Sequence, residues 1–385
     1  MKLLQIVPTI HQFPDFKSFG EEFHLTERDL IVTSIYLYRG CVWMADGYAP
    51  LNWKGVAQVM FRDHFGKGEP TDEMVNRMLE KRDEIHVSLP GGIDRIIAVG
   101  GGAILDIAKV LAVAPHGTKD VNDLYADMAN LTRQHELIAI PSTCGTGSEV
   151  TNISVIFRTA LGTKHGLVGD ALYPVHAVLI PEALMRLPYE VFASSAIDAL
   201  IHAAESYLSP LATPMTDVFG EMAMRDILTG FAAVAEDRAA LPGLHGQFLL
   251  ASLNAGVAFG NAGCGPVHAL SFAIGGKYHV PHGESCYQYF LPVLRYYRRN
   301  AAPGGKLAQL EALLRDVLQA DDGFAALESL LERILPRKPM RAYGAVEADV
   351  AAFARSTIDN QQRLLARAYV PVDYEAALAI EAECL

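Results

Sequence analysis

The apolar residues of this chain change their period near Pro188. Before it, short runs that suit buried strands alternate with segments of helical spacing. "RDLIVTSIYL" (28–37) reads as a buried strand and its exit, and "TDEMVNRMLEKRDEI" (71–85) as a helix that Thr71 can cap. "DRIIAVGGG" (94–102) is a strand running into glycines, "AILDIAKVLAVA" (103–114) a helix, and "HELIAIPST" (135–143) another strand. Alternating β and α segments imply a parallel sheet with helices on both faces.

After Pro188 the pattern is helical almost throughout. "YEVFASSAIDALIHAAESYLS", "PMTDVFGEMAMRDILTGFAAVAED", "GQFLLASLNAGVAFG", "LAQLEALLRDVLQ" and "GFAALESLLERIL" all place apolar residues at helical intervals. A chain of 385 residues exceeds one ordinary core. The sequence therefore predicts an α/β domain over 1–184 and an all-helical domain over 185–385. The junction falls within "LIPEALMRLPYE" (179–190).

Bulk composition narrows the partners. Half of the residues are hydrophobic and the formal net charge is -12, with no basic stripe. Nucleic acid is therefore not expected, because affinity for it comes largely from Lys and Arg at phosphates. No apolar run approaches the ~18–20 residues that span a bilayer. The N-terminal "MKLLQIVPTIHQFPDF" lacks the pattern of a signal peptide, so no membrane partner is expected either. The five cysteines, Cys41, Cys144, Cys264, Cys286 and Cys384, are widely spaced and form no CxxC pair, which suits a reducing cytoplasm.

Two glycine-rich turns carry the first functional signal. Gly100, Gly101 and Gly102 lie between a strand and a helix. Free N–H groups and the helix dipole make such a turn an anion site suited to a pyrophosphate. The spacing is not GxGxxG, and a plain tight turn with Asp106 in the helix explains these residues equally well. The second turn, "PSTCGTGSEV", brings Ser142, Thr143, Thr146 and Ser148 to the carboxyl end of a strand, where open α/β sheets bind ligands. A dinucleotide lying across both loops explains the pair most simply.

The second signal is a set of possible metal ligands. Asp198 and His202 in "IDALIHAAE" are four apart on a helix and share a face. His268 and His282 lie in a stretch broken by Gly275, Gly276 and Pro281. Any one such histidine is more often a hydrogen-bonded core residue. Three imidazoles and one carboxylate together make a nitrogen/oxygen site suited to Fe(II), Zn(II) or a similar ion. Such an ion acts as a Lewis acid on an alcohol or carbonyl oxygen.

Taken together, "GGGAILDIAK" (100–109), "PSTCGTGSE" (141–149), "DALIHAAE" (198–205) and "HALSFAIGGKYHVPHG" (268–283) resemble the iron-containing (group III) alcohol dehydrogenases. The resemblance spans nearly the whole chain. It implies a Rossmann-like dinucleotide-binding domain followed by a helical metal and catalytic domain, the dehydroquinate synthase-like architecture. It implies that Gly100, Gly101, Gly102 and Asp106 lie at the pyrophosphate of NAD or NADP. Ser142, Thr143, Thr146 and Ser148 would line the pyrophosphate and the nicotinamide ribose. Asp198, His202, His268 and His282 would hold the metal, most often Fe(II), with Zn(II) as the other choice. Hydride would pass between the nicotinamide and a substrate whose oxygen the metal polarises. The resemblance also implies a homodimer or higher homo-oligomer.

Two departures from the family pattern matter. Many members carry a histidine four residues after the third ligand as a proton relay, and this chain has Phe272 there. His279 is the nearest replacement, and a merely exposed histidine explains it equally well. Many NAD-preferring members have Asp after the Thr of "LIVT", at the adenosine ribose, where this chain has Ser34. NAD is expected, with NADP kept open.

Within the family, "STCGTGSEVTNIS", "SAIDALIHAAESYLSP", "AFGNAG", "GGKYHVPHGE" and "QQRLLARAYV" are most similar to the 4-hydroxybutyrate dehydrogenases. That implies interconversion of 4-hydroxybutyrate and succinate semialdehyde. The substrate carboxylate needs a cation or several donors. Lys277, Arg158, Lys164 and Arg363 are candidates, though a solvated surface charge is the commoner reading of each. Lys277 is expected at the catalytic site, between two proposed ligands. Lys164 matches a lysine common in the family and is expected at the cofactor. Competing readings are a dehydrogenase for another alcohol, polyol or anionic aldehyde, a zinc-dependent glycerol dehydrogenase or dehydroquinate synthase-like lyase, and a non-catalytic nucleotide-binding protein.

Overall fold

The computed structural model describes residues 2–39 and 56–385. It resolves into two compact units, Ile6–Pro188 and Tyr189–Leu385, the latter joined by Met1–Gln5. The first residues were expected in the α/β domain but belong with the helices. The amide of Gln5 donates to the Asn261 side chain at 2.7 Å, and the Thr213 hydroxyl donates to the Leu3 carbonyl at 2.8 Å.

The first unit is built on a six-stranded sheet in the order β1-β8-β5-β4-β2-β3, every pair parallel. The strands are β1 (Thr9–Gln12), β2 (Asp29–Thr33), β3 (Gln58–Phe61), β4 (Arg95–Gly100), β5 (Glu136–Pro141) and β8 (His176–Leu179). A separate antiparallel hairpin pairs β6 (Ile153–Arg158) with β7 (Thr163–Val168). β4 is buried on both faces: Ile96, Ile97, Ala98 and Val99 are all fully covered. That is why its sequence is a continuous apolar run and not an alternation.

Helix α1 (Phe16–Phe23) follows β1, α2 (Asp72–Ser88) precedes β4, and α3 (Gly102–Val113) joins β4 to β5. Thr71 caps α2, its hydroxyl accepting from the Met74 amide at 3.2 Å. Met74, Val75, Met78 and Leu79 of α2 join Leu105, Ile107, Ala108 and Leu111 of α3 in one apolar cluster with Val32, Ile96, Ala98 and Leu137 of the sheet. From β2 the chain leaves toward β3, whereas from neighbouring β4 it leaves toward β5. That divergence makes the carboxyl ends of β2 and β4 a topological switch point, the preferred ligand crevice of such sheets.

The second unit is helical throughout: α4 (Tyr189–Leu208), α5 (Pro214–Glu236), α6 (Leu241–Ala262), α7 (Pro266–Tyr278), α8 (His282–Asn300), α9 (Gly305–Leu318), α10 (Gly323–Ile334), α11 (Glu347–Asn360) and α12 (Tyr374–Cys384). Sixteen residues of α4 are buried. A helix apolar all round is a central one, and α4 crosses the middle of this unit. Among the described residues no single helix is long and apolar enough to cross a membrane. Cys144, Cys264, Cys286 and Cys384 are buried and none is in a disulfide, and Cys41 lies outside the described residues.

Candidate active site

The proposed metal ligands converge. Asp198, His202, His268 and His282 each offer an atom, and these atoms lie within 4.8 Å of one another. Helix α4 supplies Asp198 and His202 one turn apart. α7 supplies His268 from its first turn, and α8 starts on His282. Nε2 of His268 lies 2.9 Å from Nε2 of His202 and 3.8 Å from Oδ1 of Asp198. Nε2 of His282 is also 3.8 Å from that oxygen. The His202 ring stacks between Phe259 and His268, with centroids at 4.2 and 4.6 Å.

Gly283 makes this convergence possible. A Cβ there would sit 2.3 Å from the Ser194 carbonyl oxygen, so only glycine lets the first turn of α8 lie against α4 beside Asp198. The glycine-bounded turn 263–265 similarly lets α7 start close to Glu205.

Glu205 was not singled out from the sequence. It lies seven residues past Asp198 on α4, and its Oε2 is 2.6 Å from Nδ1 of His268. The same carboxylate accepts the Gly265 amide at 3.0 Å and the Val267 amide at 2.7 Å. It therefore sets the His268 ring proton on Nδ1 and leaves the Nε2 lone pair toward the other ligands. The i, i+4, i+7 spacing of Asp198, His202 and Glu205 is the signal that could have found it.

The donor set fits a divalent cation. Oδ1 of Asp198 is buried and has no hydrogen-bond partner among the described residues. Burial pushes the Asp198 carboxyl up to about 6, against the pull of His268. A buried carboxylate in this state is costly unless a cation meets it. Burial also raises the Cys264 and Cys286 thiols, so both are neutral neighbours and not thiolate ligands.

His279 and Lys277 stand apart from this set. His279 is exposed at the C-cap of α7, in the left-handed region at φ 54. Lys277 is half-exposed, ion-paired to Asp349, and its ammonium lies 5.3 Å over the Tyr278 ring. Neither joins the cluster of four.

In the other unit the two glycine-rich loops meet. Gly100 and Pro141 are in register at the ends of β4 and β5, and the Ser142 amide donates to the Gly100 carbonyl at 2.9 Å. Gly101 is the N-cap of α3 and Gly102 its first residue. A Cβ on Gly102 would lie 2.6 Å from the Thr146 methyl, and one on Gly101 would lie 3.2 Å from that of Thr143. Backbone amides at a helix N-terminus thus sit beside the hydroxyls of Thr143 and Thr146, an arrangement suited to a pyrophosphate.

Asp106 and Ser148 face inward from these loops. Oδ1 of Asp106 accepts the Ser148 hydroxyl at 2.6 Å, and Oδ2 accepts the Val155 amide at 2.8 Å. The Lys109 ammonium, fully buried, donates to Ser148 at 2.7 Å, Thr151 at 3.1 Å and the Ile153 carbonyl at 2.7 Å. Burial brings Lys109 down to about 8 and raises Asp106. Asp106 and Ser148 were expected to touch the cofactor; the bonds they make within the protein brace the second loop. Lys109 was missed, although a lysine three residues after an aspartate in an otherwise apolar helix is a visible signal.

Ser34 caps the short turn Ile35–Leu37, its hydroxyl accepting from the Leu37 amide at 3.1 Å. The neighbouring Ile35 amide donates to Asp63 at 2.8 Å, so a carboxylate does stand at the end of β2, supplied from beyond β3. Lys164 lies on β7 and is ion-paired to Glu69. Arg158 donates to Asn122 at 2.6 Å and covers the Tyr125 ring at 4.5 Å.

Two family models match this chain. The model for iron-containing alcohol dehydrogenase covers residues 10–181, and that for the C-terminal part of the Fe-containing alcohol dehydrogenase family covers 192–383. The chain belongs to the iron-containing alcohol dehydrogenases. It is an oxidoreductase of that family, and 4-hydroxybutyrate dehydrogenase from Clostridium kluyveri is 42% identical to it over 97% of both chains. Long-chain-alcohol dehydrogenase 1 from Geobacillus thermodenitrificans is 34% identical over 75% of this chain and 76% of its own. Among solved structures, a sulfoacetaldehyde reductase from Bifidobacterium kashiwanohense in complex with NAD+ superposes with a TM-score of 0.82. It is 22% identical, covering 99% of this chain and 98% of its own. That last likeness is one of fold.

Proposed function

We propose that this dehydrogenase interconverts 4-hydroxybutyrate and succinate semialdehyde with NAD as hydride carrier. The observation that carries the reading is the 42% identity with the Clostridium kluyveri enzyme along 97% of both chains. Asp198, His202, His268 and His282 would hold a divalent ion, Fe(II) first and Zn(II) second, which would supply a positive charge to the reacting oxygen. Glu205 keeps His268 in the tautomer that can ligate. The glycine amides of 100–102 and the hydroxyls of Thr143 and Thr146 would hold the dinucleotide. Asp63 would accept from the adenosine ribose and repel a 2′-phosphate, which favours NAD over NADP.

A substrate carboxylate needs a cation that is not already paired. Of the cations nominated from the sequence, Lys277, Lys164 and Arg158 are engaged, and Arg363 is exposed on the short turn after α11. Arg367 was not nominated. A Cβ on Gly263 would lie 3.2 Å from its Nε, so its guanidinium lies against the turn that leads into the His268 helix. Arg367 is the residue we assign to the carboxylate. The test is kcat/KM for succinate semialdehyde against a neutral aldehyde of similar length. A clear preference for succinate semialdehyde, lost in Arg367→Met, is expected. Preference for the neutral aldehyde overturns the hydroxy-acid reading, and sulfoacetaldehyde as best substrate would replace it with another anionic aldehyde.

A further inference from the structure

Three histidines meet at the other edge of the α/β unit. His86 is in the last turn of α2, His116 lies just past α3, and His135 directly precedes β5. Their ring centroids are 4.0 Å apart for His86 and His116, 5.1 Å for His116 and His135, and 5.6 Å for His86 and His135. One nitrogen from each lies within 4.8 Å of the others. In a parallel sheet the helices run back against the strands, so helix ends and strand starts share an edge. The glycine-rich loops follow the opposite ends of β4 and β5, about 20 Å away along a six-residue strand.

The hydrogen bonds prepare two of the three rings as ligands. His135 is 3% exposed, and its Nδ1 is 3.0 Å from the Ile93 carbonyl, which can only accept. The ring proton is therefore on Nδ1. Nε2 carries the lone pair, is buried, and has no partner among the described residues. A buried nitrogen left without a partner is rare and calls for an explanation. Nδ1 of His116 is 2.7 Å from Asp83, so a carboxylate backs that imidazole and leaves its Nε2 as a lone pair.

We propose that His86, His116 and His135 form a second divalent metal site, separate from the dehydrogenase centre. Three imidazoles without a hard oxygen ligand select a borderline ion such as Zn(II), Co(II) or Ni(II) over Mg(II) or Ca(II). His116 is 36% exposed at its side chain, so the site opens to solvent and keeps a position for water. Two features weaken it. Nδ1 of His86 accepts the Ile93 amide at 3.0 Å, and ligation through Nε2 gives up that bond. The Arg82 guanidinium is nearby, although Asp83 pairs with it at 2.7 Å. The site therefore binds more weakly than a structural zinc centre, and it clamps the end of α2 and the loop after α3 to the start of β5.

The test is zinc content per chain after dialysis against buffered zinc, for the full chain. Wild type is expected to hold two ions, His268→Ala one, His116→Ala one, and the double variant none. His116 is partly exposed, so His116→Ala is expected to fold and to keep dehydrogenase activity after iron loading. Asp83→Asn is expected to weaken zinc binding by about 10- to 100-fold in the His268→Ala background. Cobalt in that same background is expected to give the intense visible bands of a four-coordinate site. The proposal is overturned if His268→Ala holds no zinc, or if its zinc survives His116→Ala.

Discussion

Oε2 of Glu205 stands 2.6 Å from Nδ1 of His268, and this contact decides which nitrogen of that imidazole is left for a metal. The two residues are far apart in the chain. The same carboxylate also accepts two amides of the turn that starts α7, so it positions both the ring and the helix that carries it. Glu205→Gln would keep an acceptor but remove the charge. It is expected to weaken the ion at the dehydrogenase centre by about 10- to 100-fold, read by competition with a chelator. An unchanged affinity would mean that Glu205 serves only to start α7.

Asp198→Asn and His202→Ala remove donors from the centre itself. Both variants are expected to lose iron on mild chelation under conditions where the parent keeps it, and to lose activity with it. Metal analysis beside the activity assay distinguishes this from a purely kinetic defect. The His116 site provides an internal control, because its zinc is expected to be untouched.

Gly283→Ala tests the geometry by sterics alone. The added methyl meets the Ser194 carbonyl at 2.3 Å, so α8 must move away from α4. A loss of about 1–3 kcal/mol in unfolding free energy is expected, as for overpacked sites. Iron affinity should fall as well, because His282 is the residue immediately before. Denaturant midpoints and chelator competition on the same preparation read both effects.

Asp63→Asn tests cofactor choice. The carboxylate at the end of β2 comes from Asp63 through the Ile35 amide, and not from position 34. Removing its charge is expected to improve kcat/KM for NADPH relative to NADH by about tenfold or more, equivalent to roughly 1.4 kcal/mol. An unchanged ratio would place the ribose elsewhere.

Glu149 gives a pH signature. Burial pushes its carboxyl from 4.5 up to about 7, and neither oxygen has a hydrogen-bond partner among the described residues. A folded-state pKa above the unfolded one means that the native protein binds the extra proton between these values. Its contribution to stability is complete below about 4.5 and is lost as pH rises through 7. The size is on the order of 3 kcal/mol. Glu149→Gln is expected to flatten the thermal midpoint between pH 5 and 8 relative to wild type; a parallel pair of profiles would show that Glu149 does not titrate there.

Much of this was legible in the sequence because it is local. The break in period near Pro188, the glycines after β4 and the one-turn spacing of Asp198 and His202 depend only on backbone geometry over a few residues. The run "RIIAVG" read as a strand from the sequence, and the structure shows it covered on both faces. What the sequence could not decide was the partner of each polar side chain. Asp106 and Ser148 read as cofactor contacts, and the structure adds a buried partner for both in Lys109. Lys277 read as a catalytic cation, yet Asp349 from α11 pairs with it. Glu205 was marked only by its helical spacing from Asp198 and His202, and Arg367 and the histidines of the second cluster carried no local pattern at all. Pairings of this kind depend on which helices pack together across long stretches of chain, and a charged or ring side chain bonds to whichever complementary group that packing brings within about 3 Å. Residue type and spacing set out the candidates, and tertiary packing chose among them.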